Sequence, residues 1–340
     1  DEGPRHRLWR IRAKQIITAT GSIERPVSFP NNDIPGVMLA SAVRDYAVKF
    51  GVATGHKIAV YTNNDDAYRT AITLNEVGVE VPVIVDARVS GGGALAERAK
   101  ALGIRVENGK AISKVFGKKR VEAIRICEHK DSGKGNEKIE CDCIAMSGGW
   151  SPVVHLYSHC GGKLKWDEKM ALFKPDSSAK PTSHDGLPFV TAVGSANGFL
   201  LMQEVLKDAR EGCLEVVEAS GGKVKKESFK LIEQEYENSL QAIWIAPQDA
   251  DIKKRSKIWL DFQNDVKIND VELAAREGFE SVEHAKRYTT LGMATDQGKL
   301  SNINGLAVLS SSLGKEIPKV GTTTFRPPYT PISLGSIGGS

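Results

Sequence analysis

Cysteine, net charge and long apolar runs are all scarce in this sequence. Five cysteines among 340 residues are too few for the disulfide framework of a small secreted domain. The formal net charge is only +4, from 46 basic and 42 acidic residues, which argues against a nucleic-acid-binding protein. No run of about 18 apolar residues is present, which excludes a membrane-spanning helix. The composition is therefore that of a globular protein of two or three domains.

The few cysteines favour neither a disulfide framework nor a complete metal site. Cys127, Cys141, Cys143, Cys160 and Cys213 are widely spaced, so we expect reduced thiols in a cytoplasmic protein. Cys141 and Cys143 stand at strand-like spacing, which would place both thiols on one face as half of a metal site. No second cysteine pair or nearby histidine completes the set, so buried or surface thiols are expected.

The histidines do not indicate a reaction centre. None of the seven has a serine or cysteine partner at a telling spacing, so no residue is assigned a catalytic role. His155 and His159 have the i, i+4 spacing of zinc-binding helices, but no glutamate beside them completes a metalloprotease motif. We interpret them as a coincidental surface pair, and no metal-binding residue is predicted.

Residues 55–86 have the pattern of a βαβ unit. The apolar run at 57–62 predicts a buried strand, and apolar residues at helical spacing predict a helix over 66–77. Gly78 is expected to cap this helix, and a second strand is expected at 79–85. Two parallel strands joined by a crossover helix form the core of a dinucleotide-binding fold.

The glycine fingerprint of that fold is absent from the βαβ unit. Asp65 and Asp66 occupy the expected phosphate turn, where two carboxylates would repel a pyrophosphate. Asp86 follows the second strand, where a ribose-binding acid would stand, but a single acid there is common by chance. We therefore predict that this unit has lost its nucleotide. The run Gly91–Gly93 is interpreted as a flexible hinge before the next helix.

Two other apolar strands end in small residues. One runs into Ala19, Thr20 and Gly21, and the other runs into Gly194 and Ser195. Small side chains at a strand end allow a ligand to approach the backbone closely. These five residues are the candidate cofactor-binding residues.

Several further elements are expected from local patterns. Short strands are expected around Arg10 and Gln15, and a helix is expected to begin at Ser41 as its N-cap. Residues 139–146 have the pattern of one continuous strand, and residues 200–219 have that of a helix. An amphipathic segment is expected over 231–245. Farther along, Asp270 and Ser281 are expected to cap two helices, which run over 271–277 and 282–289.

The order of these pieces resembles the two-dinucleotide-domain flavoproteins of the pyridine nucleotide–disulfide oxidoreductase type. More narrowly, the sequence resembles the alpha subunits of heterotetrameric sarcosine oxidases, throughout essentially all 340 residues. The motifs that carry this resemblance are ATGSIERP at 19–26, NND at 31–33, PGVM at 35–38, YTNND at 61–65, SGGW at 147–150 and GMATDQGK at 292–299.

The resemblance implies an α/β fold followed by a small helical domain. The domains it implies are the second half of a first dinucleotide-binding domain (1–51), an inserted nucleotide-domain-like unit (52–148), the return to the first domain (149–222), a linker and helix (223–257), a small helical domain (258–320) and an extended lead-in to a further domain (321–340). Such alpha subunits also carry an N-terminal GxGxxG unit and a C-terminal folate-binding domain related to the glycine-cleavage aminomethyltransferase. The sequence is therefore interpreted as a fragment of a larger subunit.

The small helical domain resembles the [2Fe–2S]-binding domain of the bacterioferritin-associated ferredoxin type. Such a cluster needs four thiolate ligands. The equivalent positions here are Asp261, Gln263, Asp296 and Ser301, none of which is a cysteine. We therefore expect the fold without the cluster, as in sarcosine oxidase alpha subunits.

The resemblance also implies a function and its cofactors. The family oxidises sarcosine to glycine, transfers the one-carbon unit to tetrahydrofolate and forms hydrogen peroxide. It implies NAD in the complete alpha subunit, against Ala19, Thr20, Gly21, Gly194 and Ser195. It further implies FMN at the interface with the beta subunit, FAD in the beta subunit, and beta, gamma and delta subunits as partners. The fragment alone is expected to be inactive.

Two alternatives remain open from the sequence. The chain could be part of a related amine, opine or proline dehydrogenase, or of a cyanide-forming glycine oxidase. In several of these proteins the small domain keeps its cysteines, so their absence here favours the sarcosine branch. The other alternative is a scaffold module without a redox centre, which docks partner subunits.

Overall fold

The structure is a computed structural model that describes residues 7–135, 137–223 and 240–338. The strands are β1 (Ile16–Thr18), β2 (Ser22–Glu24), β3 (Val37–Leu39), β4 (Ile58–Thr62), β5 (Ile84–Asp86), β6 (Val106–Asn108), β7 (Lys110–Phe116), β8 (Ala123–Glu128), β9 (Glu137–Glu140), β10 (Cys143–Ser147), β11 (Trp150–Pro152), β12 (Leu164–Asp167), β13 (Leu172–Pro175), β14 (Val190–Ala192), β15 (Trp259–Asp261) and β16 (Val266–Lys267). The α-helices are α1 (Ala40–Phe50), α2 (Asp66–Glu76), α3 (Gly93–Ala101), α4 (His155–His159), α5 (Met202–Ala219), α6 (Ile252–Arg255), α7 (Ile268–Arg276), α8 (Val282–Thr289), α9 (Asn302–Leu313) and α10 (Leu334–Ile337). Two 3₁₀ turns lie at Gly194–Asn197 and Ile317–Val320.

Five strands form a parallel sheet in the order β3-β10-β4-β5-β6. Buried apolar clusters cover both of its faces, as expected for a parallel sheet. The predicted βαβ unit is present as β4, α2 and β5. Its second strand begins only at Ile84, because Pro82 has no N–H to donate to a ladder.

The single strand predicted over 139–146 is wrong. The chain leaves the three-stranded sheet β7-β8-β9 at Glu140 and enters the parallel sheet as β10 at Cys143. Asp142 lies at the break, where its carboxylate accepts the backbone N–H groups of His56 and Lys57 at 3.0 and 2.9 Å. Cys141 therefore packs in one apolar core and Cys143 in the other, so their predicted common face is also wrong.

Outside the five-stranded sheet, β1 and β14 form a parallel pair, and β2 and β11 form an antiparallel pair. No strand forms around Arg10, where the chain is exposed. Ser41 is not the N-cap of α1, because Leu39 takes that position. Ser41 lies in the first turn, and its N–H and hydroxyl donate to the Glu24 carboxylate at 2.8 and 2.6 Å.

The C-terminal unit is built from the β15–β16 hairpin and helices α7, α8 and α9 around one apolar cluster. Ser281 caps α8 as predicted and accepts the N–H of His284. Asp270 is not a cap, because α7 already begins at Ile268, and its carboxylate accepts the N–H of Lys267 from within the first turn. Most of the segment predicted over 231–245 lies outside the described residues.

No helix among the described residues is long and apolar enough to cross a membrane. The domain boundaries named from the sequence stay predictions.

Candidate functional site

The two strand ends singled out in the sequence lie side by side. Strands β1 and β14 are parallel, with Thr18 opposite Ala192, and the Val193 N–H donates to the Thr18 carbonyl at 3.1 Å. The turns that follow, at 19–21 and at 194–195, therefore leave the sheet at the same edge. Ligands of open α/β sheets bind at such carboxyl edges.

The first turn presents an open backbone position. Gly21 has φ +77°, and a Cβ added there would meet nothing within 4 Å. The side chain of Thr20 is already engaged, since its hydroxyl donates to the Val153 carbonyl at 2.6 Å. The Gly21 carbonyl accepts the Val153 N–H at 2.9 Å. The open space beside Gly21 is thus the part of this turn that a ligand can approach.

The second turn is held by a residue that the sequence reasoning missed. The Asp208 carboxylate accepts the Gly194 N–H at 2.7 Å and the Asn197 side-chain amide at 3.1 Å. Gly194 has φ +65°, in the left-handed region that favours glycine. Asp208 lies on α5, fourteen positions along the chain from Gly194. No local pattern points to it.

Ser195 lines a cavity of about 550 Å³. The cavity lies between the strand ends of the first domain and the N-terminus of α2 in the inserted unit. Its other walls include Ser22, Trp150, Phe199, Arg44 and Asp66. Arg44 and Asp66 form an ion pair at 3.2 Å. The cavity therefore offers aromatic surface together with the paired charges of Arg44 and Asp66.

The corresponding edge of the inserted unit is filled by the protein itself. Nη2 of Arg88 lies 2.7 Å from both the Asp65 and the Asp86 carboxylates. The Gly92 N–H donates to Asp65 at 3.0 Å, and the Tyr68 hydroxyl donates to Asp86 at 2.8 Å. Asp65 therefore does not face the site as a free charge, which corrects the reason given for the loss of nucleotide binding. The prediction that this edge binds no dinucleotide is not tested.

The same network shifts the pKa values of Arg88 and Tyr68. Burial lowers the pKa of the Arg88 guanidinium, but the hydrogen bonds and charges of Asp86 and Asp65 outweigh burial and raise it. Burial and the neighbouring Asp86 carboxylate raise the pKa of Tyr68. Arg88 therefore stays charged and Tyr68 stays neutral over the whole neutral range.

The glycine run beside this network is not a hinge. A Cβ on Gly91 would lie 2.0 Å from Oδ2 of Asp86, and one on Gly92 would lie 2.5 Å from the Ala96 Cβ. Tyr68 also lies 2.6 Å from that second position. The glycines at 91 and 92 are required for close packing against the Arg88 network, which corrects the hinge interpretation.

Two of the four positions that the resemblance equates with cluster ligands meet in the C-terminal unit. The buried Asp261 carboxylate accepts the N–H groups of Gly292, Gln263 and Asn264 at 2.7, 2.9 and 3.1 Å, and the Ser301 hydroxyl at 3.4 Å. Asp296 instead accepts the N–H of Gly298. A carboxylate thus connects the loops at a place where relatives with a cluster would need thiolates. The expectation that this unit binds no iron stays a prediction.

His155 is not on the surface, which corrects its interpretation as a surface pair with His159. It is 7% exposed, and its ring centroid lies 3.9 Å from that of Phe325 and 5.1 Å from that of Tyr329. Neither ring nitrogen has a hydrogen-bond partner, and burial lowers the pKa of His155 to about 4. Among the described residues, no group of three potential ligands could hold a metal ion.

Comparison with known proteins identifies the relationship. Residues 255–340 match the family model of the sarcosine oxidase A3 domain. The chain is 40% identical to the sarcosine oxidase alpha subunit of Rhizobium meliloti (strain 1021), over 99% of this chain and 32% of that protein. It is 36% identical to the alpha subunit of Corynebacterium sp. (strain P-1), over 98% of this chain and 34% of that protein.

The chain is similar to sarcosine oxidase alpha subunits along nearly its whole length. This confirms the resemblance to that family. The chain spans about a third of the length of these relatives.

A solved structure supports the fold class. The structure of L-proline dehydrogenase from P. horikoshii matches with a TM-score of 0.70 and 19% identity, over 96% of this chain and 58% of that one. At this identity the match bears on the fold alone. Together with the parallel sheet and the A3 match, it confirms the predicted α/β architecture with a distinct C-terminal unit.

Proposed function

We propose that this chain is part of the alpha subunit of a sarcosine oxidase complex. The complex oxidises sarcosine to glycine, transfers the one-carbon unit to tetrahydrofolate and forms hydrogen peroxide. The observation that carries the proposal is the 40% identity over 99% of the chain. The match of residues 255–340 to the A3 domain supports the same branch. The five free cysteines agree with a cytoplasmic location.

In this proposal the complete subunit binds NAD against the two adjacent turns. Support comes from the open space beside Gly21 and from Ser195, whose side chain lines the 550 Å³ cavity. The residues present fit such a ligand, because both turns approach it with backbone or with a small side chain. Ala19, Thr20 and Gly194 complete the turns. They hold and orient the dinucleotide, and none of them has a role in proton transfer.

Two features support the view that a further segment completes this domain. Ile16 and Ile17 of β1 are 37% and 38% exposed, although parallel strands are normally covered on both faces. Helix α5 is 18 residues long and contains no buried residue. A GxGxxG-bearing strand and helix packed here would cover both surfaces. FMN is assigned to the interface with the beta subunit and FAD to the beta subunit itself.

The test is reconstitution of the complex. The full-length alpha subunit is co-expressed with its beta, gamma and delta partners, and sarcosine-dependent oxygen uptake and peroxide formation are measured. NAD, FMN and FAD are then released by denaturation and counted per complex. Oxidation of an opine or proline in preference to sarcosine would contradict the substrate assignment. A colourless, correctly assembled complex would favour the scaffold alternative.

A further inference from the structure

The three-stranded sheet β7-β8-β9 carries an unusual row of charge on its outer face. Lys114 of β7 stands opposite Arg125 of β8, and Arg125 stands opposite Lys138 of β9. Like charges directly opposite each other in neighbouring strands destabilise a sheet. The strand register therefore places three cations side by side. A mixture of opposite charges at these positions would make the sheet more stable.

The residues on the other face of the same strands pack into the core, so the row of cations lies on the face directed away from the core. Val115, Ile124 and Ile139 stand opposite one another in the adjacent row and pack into the apolar core. Because side chains alternate along a strand, Lys114, Arg125 and Lys138 point away from that core. Lys114 and Lys138 are exposed, and Arg125 is half-buried.

The cations converge on one aromatic ring. The Phe116 ring centroid lies 4.7 Å from Lys114 Nζ, 5.0 Å from Arg125 Cζ and 5.1 Å from Lys138 Nζ. The negative ring face attracts the cations and offsets part of their repulsion. No salt bridge to an acid is found for any of the three within the described residues, and Nε of Arg125 is buried without a partner.

We propose that this basic row is a docking surface for an acidic segment of a partner protein. The Phe116 ring occupies the point on which the cations converge, so a small anion has no room between them. A polypeptide could instead place separate carboxylates on the cations and an apolar side chain on the ring. Arginine and aromatic residues are enriched in such interfaces.

The surroundings of the row favour a short acidic segment over a long polyanion. Glu140 lies in the next row of the same face, and Glu128 and Glu137 lie at the ends of the neighbouring strands. Glu137 and Glu128 pair with Arg105 and Lys110 across the sheet edge. Because Glu128 and Glu137 are paired, Glu140 is the acid of these three that would repel a long polyanion. The net charge of only +4 also argues against binding to nucleic acid or to an anionic membrane.

The proposal is tested with the full chain and a fluorescent polyglutamate peptide as the probe, with binding followed by anisotropy at several salt concentrations. Lys114→Gln, Arg125→Gln and Lys138→Gln should each weaken binding about two- to fivefold, and the triple variant about 20-fold or more. The matched control removes three exposed lysines elsewhere, as Lys163→Gln, Lys165→Gln and Lys253→Gln. It should change binding by less than about twofold.

A second measurement separates docking from a structural role. Because the row repels itself, the triple variant should keep or raise its melting temperature while it loses the peptide. Parallel loss of stability and binding would overturn the proposal, as would equal weakening by the control triple. Tighter binding to duplex DNA or to phosphatidylserine vesicles than to the peptide would also overturn it. The test does not depend on the oxidase assignment, because no partner subunit or substrate is used.

Discussion

Two carboxyl edges of parallel strands in this chain, at β1–β14 and at β4–β5, differ in what occupies them. Beside the first edge lie open space at Gly21 and a cavity lined by Ser195. The second edge is filled by Arg88 between two buried carboxylates. Parallel strands that end at a common edge thus occur twice, and in the second pair the buried Arg88 occupies the gap between the strand ends. The side chains that follow the strands, rather than the strands themselves, make the two edges different.

The largest expected effect comes from removing the Arg88 guanidinium that lies between Asp65 and Asp86. Arg88→Met leaves Asp65 and Asp86 buried without their cation, since both are at most 2% exposed. Breaking a buried ion pair from one side costs about 3–5 kcal/mol, so the free energy of unfolding should fall by that amount in urea denaturation. The control is Arg98→Met, whose pair with Glu76 is half-exposed and should contribute at most about 1 kcal/mol. Equal losses in the two variants would show that the buried Arg88 contributes no more to stability than an exposed ion pair does.

The next effect tests whether the glycines beside Arg88 serve packing. The methyl group in Gly91→Ala would lie 2.0 Å from an Asp86 oxygen that Tyr68 and Arg88 hold in place. Overpacking of this kind costs about 1–3 kcal/mol of unfolding free energy. Gly335→Ala is the control, because its added methyl group meets nothing within 4 Å. If Gly91→Ala is as stable as the control, Gly91 is not required for packing, and the interpretation of the glycine run as a flexible hinge would be favoured.

The sequence predicts features that depend on neighbouring residues. It does not predict features that depend on contacts between residues far apart in sequence. The βαβ unit and the Ser281 cap follow from neighbours within a few positions, and both predictions are confirmed. The two strands ending at Thr18 and Ala192 were also predicted, because apolar runs into small residues are local patterns. The reason given for the loss of nucleotide binding, repulsion of a pyrophosphate by Asp65, is wrong because Asp65 pairs with Arg88. Arg88 stands 23 positions away in the sequence, and no periodicity links the two residues.

The errors at Ser41 and Cys141 have the same origin. Ser41 has the local signature of an N-cap, but it lies inside α1 and its hydroxyl donates to the Glu24 carboxylate in β2. Cys141 and Cys143 have strand spacing, but the Asp142 carboxylate binds the backbone before β4 and breaks the strand between them. In each case a hydrogen bond between a carboxylate and a residue distant in sequence outweighs a local preference. Asp208 at the candidate site is a third example, and it too was missed.

The assignment of NAD to the β1–β14 edge is tested by placing a larger side chain at Gly21. In the full-length subunit, Gly21→Val places a branched side chain in the space beside the turn and should reduce bound NAD about tenfold, or about 1.4 kcal/mol. Gly103→Val is the matched control, because Gly103 has φ +79° against +77° for Gly21 and is equally free of neighbours. Both variants carry the same backbone strain, so only loss of ligand space separates them. NAD released by denaturation is counted per subunit, and equal NAD content in the two would remove Gly21 from the site.

The smallest effect comes from weakening the hydrogen bonds by which Asp208 holds the turn at Gly194. Asp208→Asn keeps one oxygen for the Gly194 N–H or the Asn197 amide but turns an N–H₂ group toward the other donor. The loss of one charge-assisted hydrogen bond should cost about 1 kcal/mol of unfolding free energy, and the displaced turn should weaken NAD binding about threefold. Glu211→Gln on the same helix removes an equal charge from an exposed site and is the control. A stability loss without any change in NAD affinity would mean that Asp208 supports the helix and not the ligand, because a positioning residue must change both.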